Sequence, residues 1–194
     1  ISISANTAAG FSIVTNKTSD SEHTVAHGLD AAPELILSKP LSNGVYQWSC
    51  WANGFSGYQG IELSTSNARY TNGGFRTVYS TSTTTMGFGL QFLSATNYGA
   101  NTDIVNYCFT SIPGFSKVGN YSGGSSGSSN VIVIGFKPRF LIVKRTDQAG
   151  DAWQMFDSTM AGADTFDDYL QANTTAAEAS YNQREVNFTN NGFY

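Results

Sequence analysis

Pro33-Glu34-Leu35-Ile36-Leu37-Ser38-Lys39 and Pro138-Arg139-Phe140-Leu141-Ile142-Val143-Lys144 are two versions of one phrase, set 105 positions apart. In each, a proline precedes a short apolar run that a lysine closes. Proline has no N–H to give to a strand ladder, so it marks the entry to a strand rather than its interior. The run behind it has the length of a strand and is too short for an ordinary helix. The pairing extends outward in both directions. Gly10-Phe11-Ser12 returns as Gly114-Phe115-Ser116 at an offset of 104, and Trp48 returns as Trp153 at 105. Further on, Leu63 to Ala68 resembles Leu170 to Ala177, and Met86-Gly87-Phe88 resembles Asn191-Gly192-Phe193. Matches in one order at a nearly constant offset read as a duplicated unit of roughly a hundred residues. Pro33, Trp48, Pro138 and Trp153 are the expected core positions of the repeat, each tryptophan capping the core of its own copy.

The rest of the chain also reads as strands. Phe11 to Thr15, Thr24 to Ala26, Val45 to Trp51, Phe75 to Ser80, Met86 to Phe92 and Ile104 to Thr110 are short β-rich runs. Turn signals such as Ser42-Asn43-Gly44 and Asn72-Gly73-Gly74 separate them. Val131 to Ile134 and Phe140 to Val143 are continuously apolar, which predicts strands covered on both faces. Only Ala163 to Ser180 hints at helix, and its threonines and asparagine argue against a long one. The predicted fold is all-β, two related antiparallel β-sandwich or jelly-roll-like repeats in tandem with little helix. Residues 1–113 form the first repeat, with an N-terminal strand in 1–9, and residues 114–194 form a second, C-terminally shortened one. The second copy has no counterpart of Asp103 to Phe109. Either the chain is part of something longer, or a strand is supplied from elsewhere. The alternating Ile1-Ser2-Ile3-Ser4 is then the candidate donor, from the same or a neighbouring subunit.

Composition narrows the function classes. Hydrophobic residues make up 40% of the 194 and aromatics 13%, too much for a disordered chain. Charged residues are only 12%, so the polar surface is built from hydroxyls and amides, a style that suits extracellular and virion β-proteins. The net charge is -4, and Lys137, Arg139, Lys144 and Arg145 are the densest basic group. That is no footprint for nucleic acid, which is bound by displacing counterions. No apolar run is long enough to insert as a membrane helix. Cys50 and Cys108 sit beside aromatics in strand-like runs, where buried free thiols are expected.

Gly10-Phe11-Ser12, His27-Gly28-Leu29 and Ala32 to Lys39 are followed by Tyr107 to Gly123 and by Gly135 to Thr146. Together they resemble a repeat module found in tail-fibre and other virion proteins of tailed bacteriophages, notably those of marine bacteria. The likeness runs from Gly10 to Phe193 and rests on strand-core patterns rather than on chemistry. It implies a role on a virion surface or appendage and brings no catalytic residues with it. The second copy has Gly135-Phe136 without a preceding histidine, so His27 is not a repeated functional position.

A search for reactive groups returns little. His23 and His27 are four apart, but only Glu22 and Asp30 could join them, so an ordinary histidine pair is expected rather than a metal site. No Gly-x-Ser-x-Gly elbow that opens a helix is present, and Gly54-Phe55-Ser56-Gly57 fails the spacing. Asp147, Asp151, Asp157, Asp164, Asp167 and Asp168 cluster in the second copy, where turn roles are expected, with a surface calcium as the lesser alternative. Gly123 to Ser129 lacks the lysine and following helix of a phosphate loop. Sequons begin at Asn16, Asn120, Asn173 and Asn187, and a phage origin would leave them unused. No catalytic, cofactor or metal residue is assigned. Trp51, Phe55 and Tyr58 are unmatched in the second copy and are the candidate ligand contacts, as a loop-displayed patch.

The expectation is a non-enzymatic structural or adhesive virion module (tail fibre, decoration or appendage subunit). Its partners would be copies of itself or other virion proteins, with no nucleic acid and no membrane insertion. The alternative is a non-catalytic carbohydrate-binding module that recognises host surface glycans.

Overall fold

Alternation along Phe11–Lys17 sets the first sheet, because residues two apart share a face. Ser12, Val14 and Asn16 are buried while Phe11, Ile13 and Thr15 are half-buried. The structure is a computed structural model. It describes residues 1–19, 21–42, 46–70, 78–89, 101–123, 130–160, 165–166, 168–180 and 186–194, the side chains of 79, 165 and 166 excepted. Among these there are strands, one 3-10 turn at Thr7–Ala9 and no α-helix. The fold is all-β, in several antiparallel sheets.

Strands β1 (Ser2–Asn6), β2 (Phe11–Lys17), β3 (His23–Ala26), β4 (Leu35–Pro40), β5 (Ser49–Ala52), β6 (Ile61–Glu62), β7 (Val78–Thr81), β8 (Thr85–Phe88) and β9 (Asp103–Phe109) belong to the first half. Six of them form one sheet in the order β1-β2-β9-β4-β5-β6, and the others form a second in the order β3-β8-β7. The register lines up Ser12, Cys108, Ile36 and Trp51 on one row of the six-stranded sheet, and Val14, Asn106, Ser38 and Ser49 on another. Both rows are buried and face Val25, Val78, Met86 and Phe88 of the three-stranded sheet. The inner face carries one polar cluster. Ser38 Oγ donates to Asn106 Oδ1 at 2.6 Å, and Asn106 Nδ2 donates to Val14 O at 3.2 Å and to Asn16 Oδ1 at 2.8 Å. A buried amide is tolerated only when so satisfied, and its partners on β2 and β4 tie those two strands and β9 to one register.

The second half holds β10 (Ile132–Val133), β11 (Phe140–Val143), β12 (Gln154–Asp157), β13 (Thr165–Phe166), β14 (Asp168–Gln171), β15 (Ala179–Ser180), β16 (Val186–Thr189) and β17 (Gly192–Phe193). They form sheets in the orders β11-β12-β14-β15 and β10-β17-β16-β13. No described strand pairs across residue 113. The hairpin β11–β12 pairs Phe140 with Asp157 and Ile142 with Met155, and β4–β5 pairs Leu35 with Ala52 and Leu37 with Cys50. Both partners of each pair are shifted by 105, so the register is the same. The β10-β17-β16 order repeats β3-β8-β7.

Several sequence expectations are corrected. Ala163 to Ser180 is not helical: among its described residues lie β14 and β15, because Tyr169 and Leu170 alternate against partners on both sides. Val131, Val133, Phe140 and Ile142 are 53%, 66%, 55% and 38% exposed, so those runs are covered on one face only. The difference lies in the pairing: in the first half β4 lies between β5 and β9, whereas among the described residues β11 pairs with β12 alone. The segment after Gly114 repeats the sequence that begins β2 but is not a strand beyond a bridge at Ser116. The second core is correspondingly small, built on Phe156, Phe188 and Phe193. Ile1 to Ser4, the candidate donor, lies largely in β1, an edge of its own chain's first sheet paired with β2.

Candidate functional site

The outer face of the six-stranded sheet is apolar too. The register places Phe11, Phe109 and Leu35 in one row and Ile13, Tyr107, Leu37, Cys50 and Ile61 in the next. Phe11 lies 4.9 Å from Phe109 and 6.3 Å from Tyr107 between ring centroids, and Trp48 lies 5.9 Å from Tyr107. These aromatics are half-buried, whereas Cys50 and Ile61, nearer β6, are buried. The difference follows from what covers that end of the first half.

That cover includes Trp153. Its indole is 9% exposed and sits among the buried residues of the first half, its Nε1 donating to Glu62 O at 2.9 Å. Two backbone bonds flank it, Arg69 N to Thr146 O at 2.8 Å and Gly150 N to Ser66 O at 2.9 Å. The repeated tryptophans are therefore not equivalent. Trp48, expected in the core, is half-buried on the outer face, and Trp153 completes the other half's core rather than its own. Their backbones do match. Trp48 O accepts from Leu63 N at 3.0 Å and its N donates to Ser64 Oγ at 3.3 Å. Trp153 O accepts from Ala172 N at 3.1 Å and its N donates to Asn173 Oδ1 at 2.8 Å. Pro33 and Pro138 are both buried just ahead of their strands.

The loop patch is corrected as well. Trp51 and Phe55 are 6% and 9% exposed, members of the first core. Trp51 shares its row with Ile36 and Cys108 and so points inward. Phe55 is covered by Arg69, whose guanidinium lies 5.5 Å from the ring centroid. Tyr58 alone is partly exposed, its hydroxyl donating to Glu22. The three form no shared platform.

The titratable groups have structural partners. His27 is fully buried: Leu29 N donates to its Nδ1 at 3.1 Å, so the proton sits on Nε2, which donates to Ser82 O at 3.1 Å. Burial holds its pKa below the ordinary histidine value, against the opposing Ser82 bond. His23 stacks on Phe88 at 5.3 Å with Nδ1 against Ser21 O, so the two histidines do not converge. Burial pushes the Cys50 and Cys108 thiols up to about 12, and both are free. They flank β4 on opposite faces, roughly 9–10 Å apart by strand spacing, too far for a disulfide. Asp147 pairs with Arg145, which holds its carboxyl below the usual range, and Asp151 lies 3.7 Å from the same guanidinium. Asp157 accepts from the Thr159 hydroxyl at 2.6 Å and backbone N at 2.8 Å, a turn cap that also lowers its pKa. Asp168 lies in β14, while Asp164 and Asp167 lie outside the described residues, as do 124–129 of the glycine-serine loop. Among the described residues no three His, Cys, Asp or Glu gather as a metal site, and no helix is long and apolar enough to cross a membrane. Asn16, the first sequon, is buried in the Asn106 cluster.

What the arrangement offers chemically is contact surface: an aromatic outer face, and a second half whose edge strand and flanking apolar residues stand open. Comparison with family models matches residues 1–194 to one described as a domain of unknown function (DUF7483), and the chain belongs to that family. No curated protein and no solved structure matches the chain.

Proposed function

We propose that this member of the DUF7483 family is a non-catalytic structural module of a virion surface or appendage, working by assembly and surface contact. One observation carries the assembly half of this reading. In the first half β4 is an inner strand between β9 and β5, while its counterpart β11 is an edge among the described strands, with its own Phe140 and Ile142 exposed. The four residues of β11 are apolar and uncharged, though Pro138, Arg139, Lys144 and Arg145 bracket them, and an apolar edge strand is a template for another chain. Among the described residues, seven of the ten exposed large apolar side chains, from Phe115 to Tyr194, lie in the second half. The virion placement rests on the resemblance of the repeat motifs and on the charge-poor, hydroxyl-rich surface.

The glycan-binding alternative loses its platform with Trp51 and Phe55 in the core. The test is electron microscopy of the native particle from which the protein is isolated, with labelled antibody to this chain. Regular decoration of a particle or filament is the expected result. A dispersed monomer that accompanies no particle overturns the proposal.

A further inference from the structure

We infer that copies of this chain associate head to tail, by remaking between molecules the contact that the two halves make within one. The inference rests on the assembly reading above and specifies its surface. Within the chain, one half presents the Trp153 indole and the loop before it, and the other presents the segment Glu62 to Arg69. Each of these surfaces has a counterpart on the opposite half. The matched backbone bonds of the tryptophans fix the correspondence: Trp48 stands for Trp153, and Gln171 to Glu178 stand for Glu62 to Arg69. Thr146, which accepts from Arg69, corresponds to Leu41.

Among the described residues both counterparts are open. Trp48 is half-buried and Leu41 is 61% exposed, against 9% for Trp153. Ser64, Thr65 and Ser66 are half-buried under the second half, whereas Asn173 is half-buried and Thr174 to Ser180 are exposed throughout. A unit that stacks on its neighbour through one surface leaves an unsatisfied face at each end of the stack. Here the two unsatisfied faces are complementary to each other by construction, because each resembles one side of a contact already made. The ligand is therefore a second copy: its Trp48 indole would lie against the Gln171 carbonyl of the preceding molecule. Tyr107, which lies beside Trp48, and the half-buried Phe11, Leu35, Leu37 and Phe109 of the same sheet face supply the apolar surround that an interface tryptophan needs. The contact joins two different surfaces, so it propagates into a filament or closes as a ring.

Sedimentation velocity on the whole chain over a concentration series tests this. The wild type is expected to form species larger than dimers. Trp48→Ala, with one face damaged, and Thr175→Arg, with the other, are each expected to associate at least about 30-fold more weakly. Circular dichroism should show both folded. Mixing the two variants should give a heterodimer and nothing larger, since each retains the face the other lacks. If Trp48→Ala assembles like the wild type, or the mixture gives no heterodimer, this contact is overturned while assembly by another surface stands. A wild type that stays monomeric throughout overturns the contact and the assembly reading together.

Discussion

Replacing the two repeated tryptophans by alanine should have unequal effects, and the inequality can be worked from their surroundings. Trp153 is 9% exposed in the first core and donates to Glu62 O. Removing a buried tryptophan side chain costs about 3–5 kcal/mol, and leaving the Glu62 carbonyl without its donor adds about 1. Trp48 is half-buried and stacks on Tyr107 at 5.9 Å. Its removal loses about 0.5–1.5 kcal/mol of aromatic pairing and part of its area burial, about 1–2 in all. For a chain of this size about 1 kcal/mol moves Tm by 2–4 °C, so Trp153→Ala should melt roughly 8–24 °C below the wild type and Trp48→Ala only a few degrees below. Urea unfolding followed by far-ultraviolet circular dichroism, at a concentration where each variant is monomeric, gives the comparison without contribution from association. Trp153→Phe, which keeps most of the burial and loses the N–H, should fall between. Equal costs at the two positions, or a cost under about 1 kcal/mol at Trp153, would refute the placement of Trp153 in the other half's core.

Other outcomes follow from the same packing. Asn106→Ala strands Asn16 Oδ1, the Ser38 hydroxyl and Val14 O in the core, and should cost about 3–5 kcal/mol in urea unfolding, much of it recovered if Ser38 and Asn16 are also made apolar. His27 is neutral in the fold with its pKa lowered, so the unfolded chain binds the extra proton. Stability should be complete above about pH 6.5 and should decline as pH falls through and below that value, and His27→Gln should flatten this slope in chemical denaturation. With thiols at about 12, Cys50 and Cys108 should resist a thiol reagent at pH 8 in the native protein and react at once in denaturant. At Gly10, with φ +62°, an added Cβ would lie 2.5 Å from Thr110 Oγ1 and 2.8 Å from Thr110 O. Gly10→Ala should therefore lower Tm in calorimetry by more than the few degrees typical of a surface change.

Strand identity was legible in the sequence because it is local. The proline before an apolar run and the period of two along Phe11 to Lys17 need no partner to be recognised. The two proline-led phrases sit in hairpins of the same register, since Leu35 and Phe140, like Ala52 and Asp157, keep their spacing. Burial was not legible, because it depends on neighbours far along the chain. Phe140 to Val143 looks more apolar than Leu35 to Ser38, yet it is the more exposed strand, for want of a β9 beside it. Trp51 and Phe55 read as loop aromatics because neither is repeated, but Trp51 shares a row with Ile36, a cross-strand relation that only the pairing reveals. The equal spacing of Trp48 and Trp153 likewise concealed their different surroundings. A core shared between segments far apart in the chain leaves no mark in either of them.

Native-state hydrogen exchange on β4 and β11 tests the central proposal, that β11, an edge among the described strands, is covered when the protein assembles. In the isolated monomer, amides of residues 35–39 in β4 should exchange only on global unfolding, and those of Phe140–Val143 should exchange orders of magnitude faster. In the native assembly the β11 amides should become protected to a similar degree. Strong protection of β11 already in the monomer, or none gained on assembly, would contradict the account.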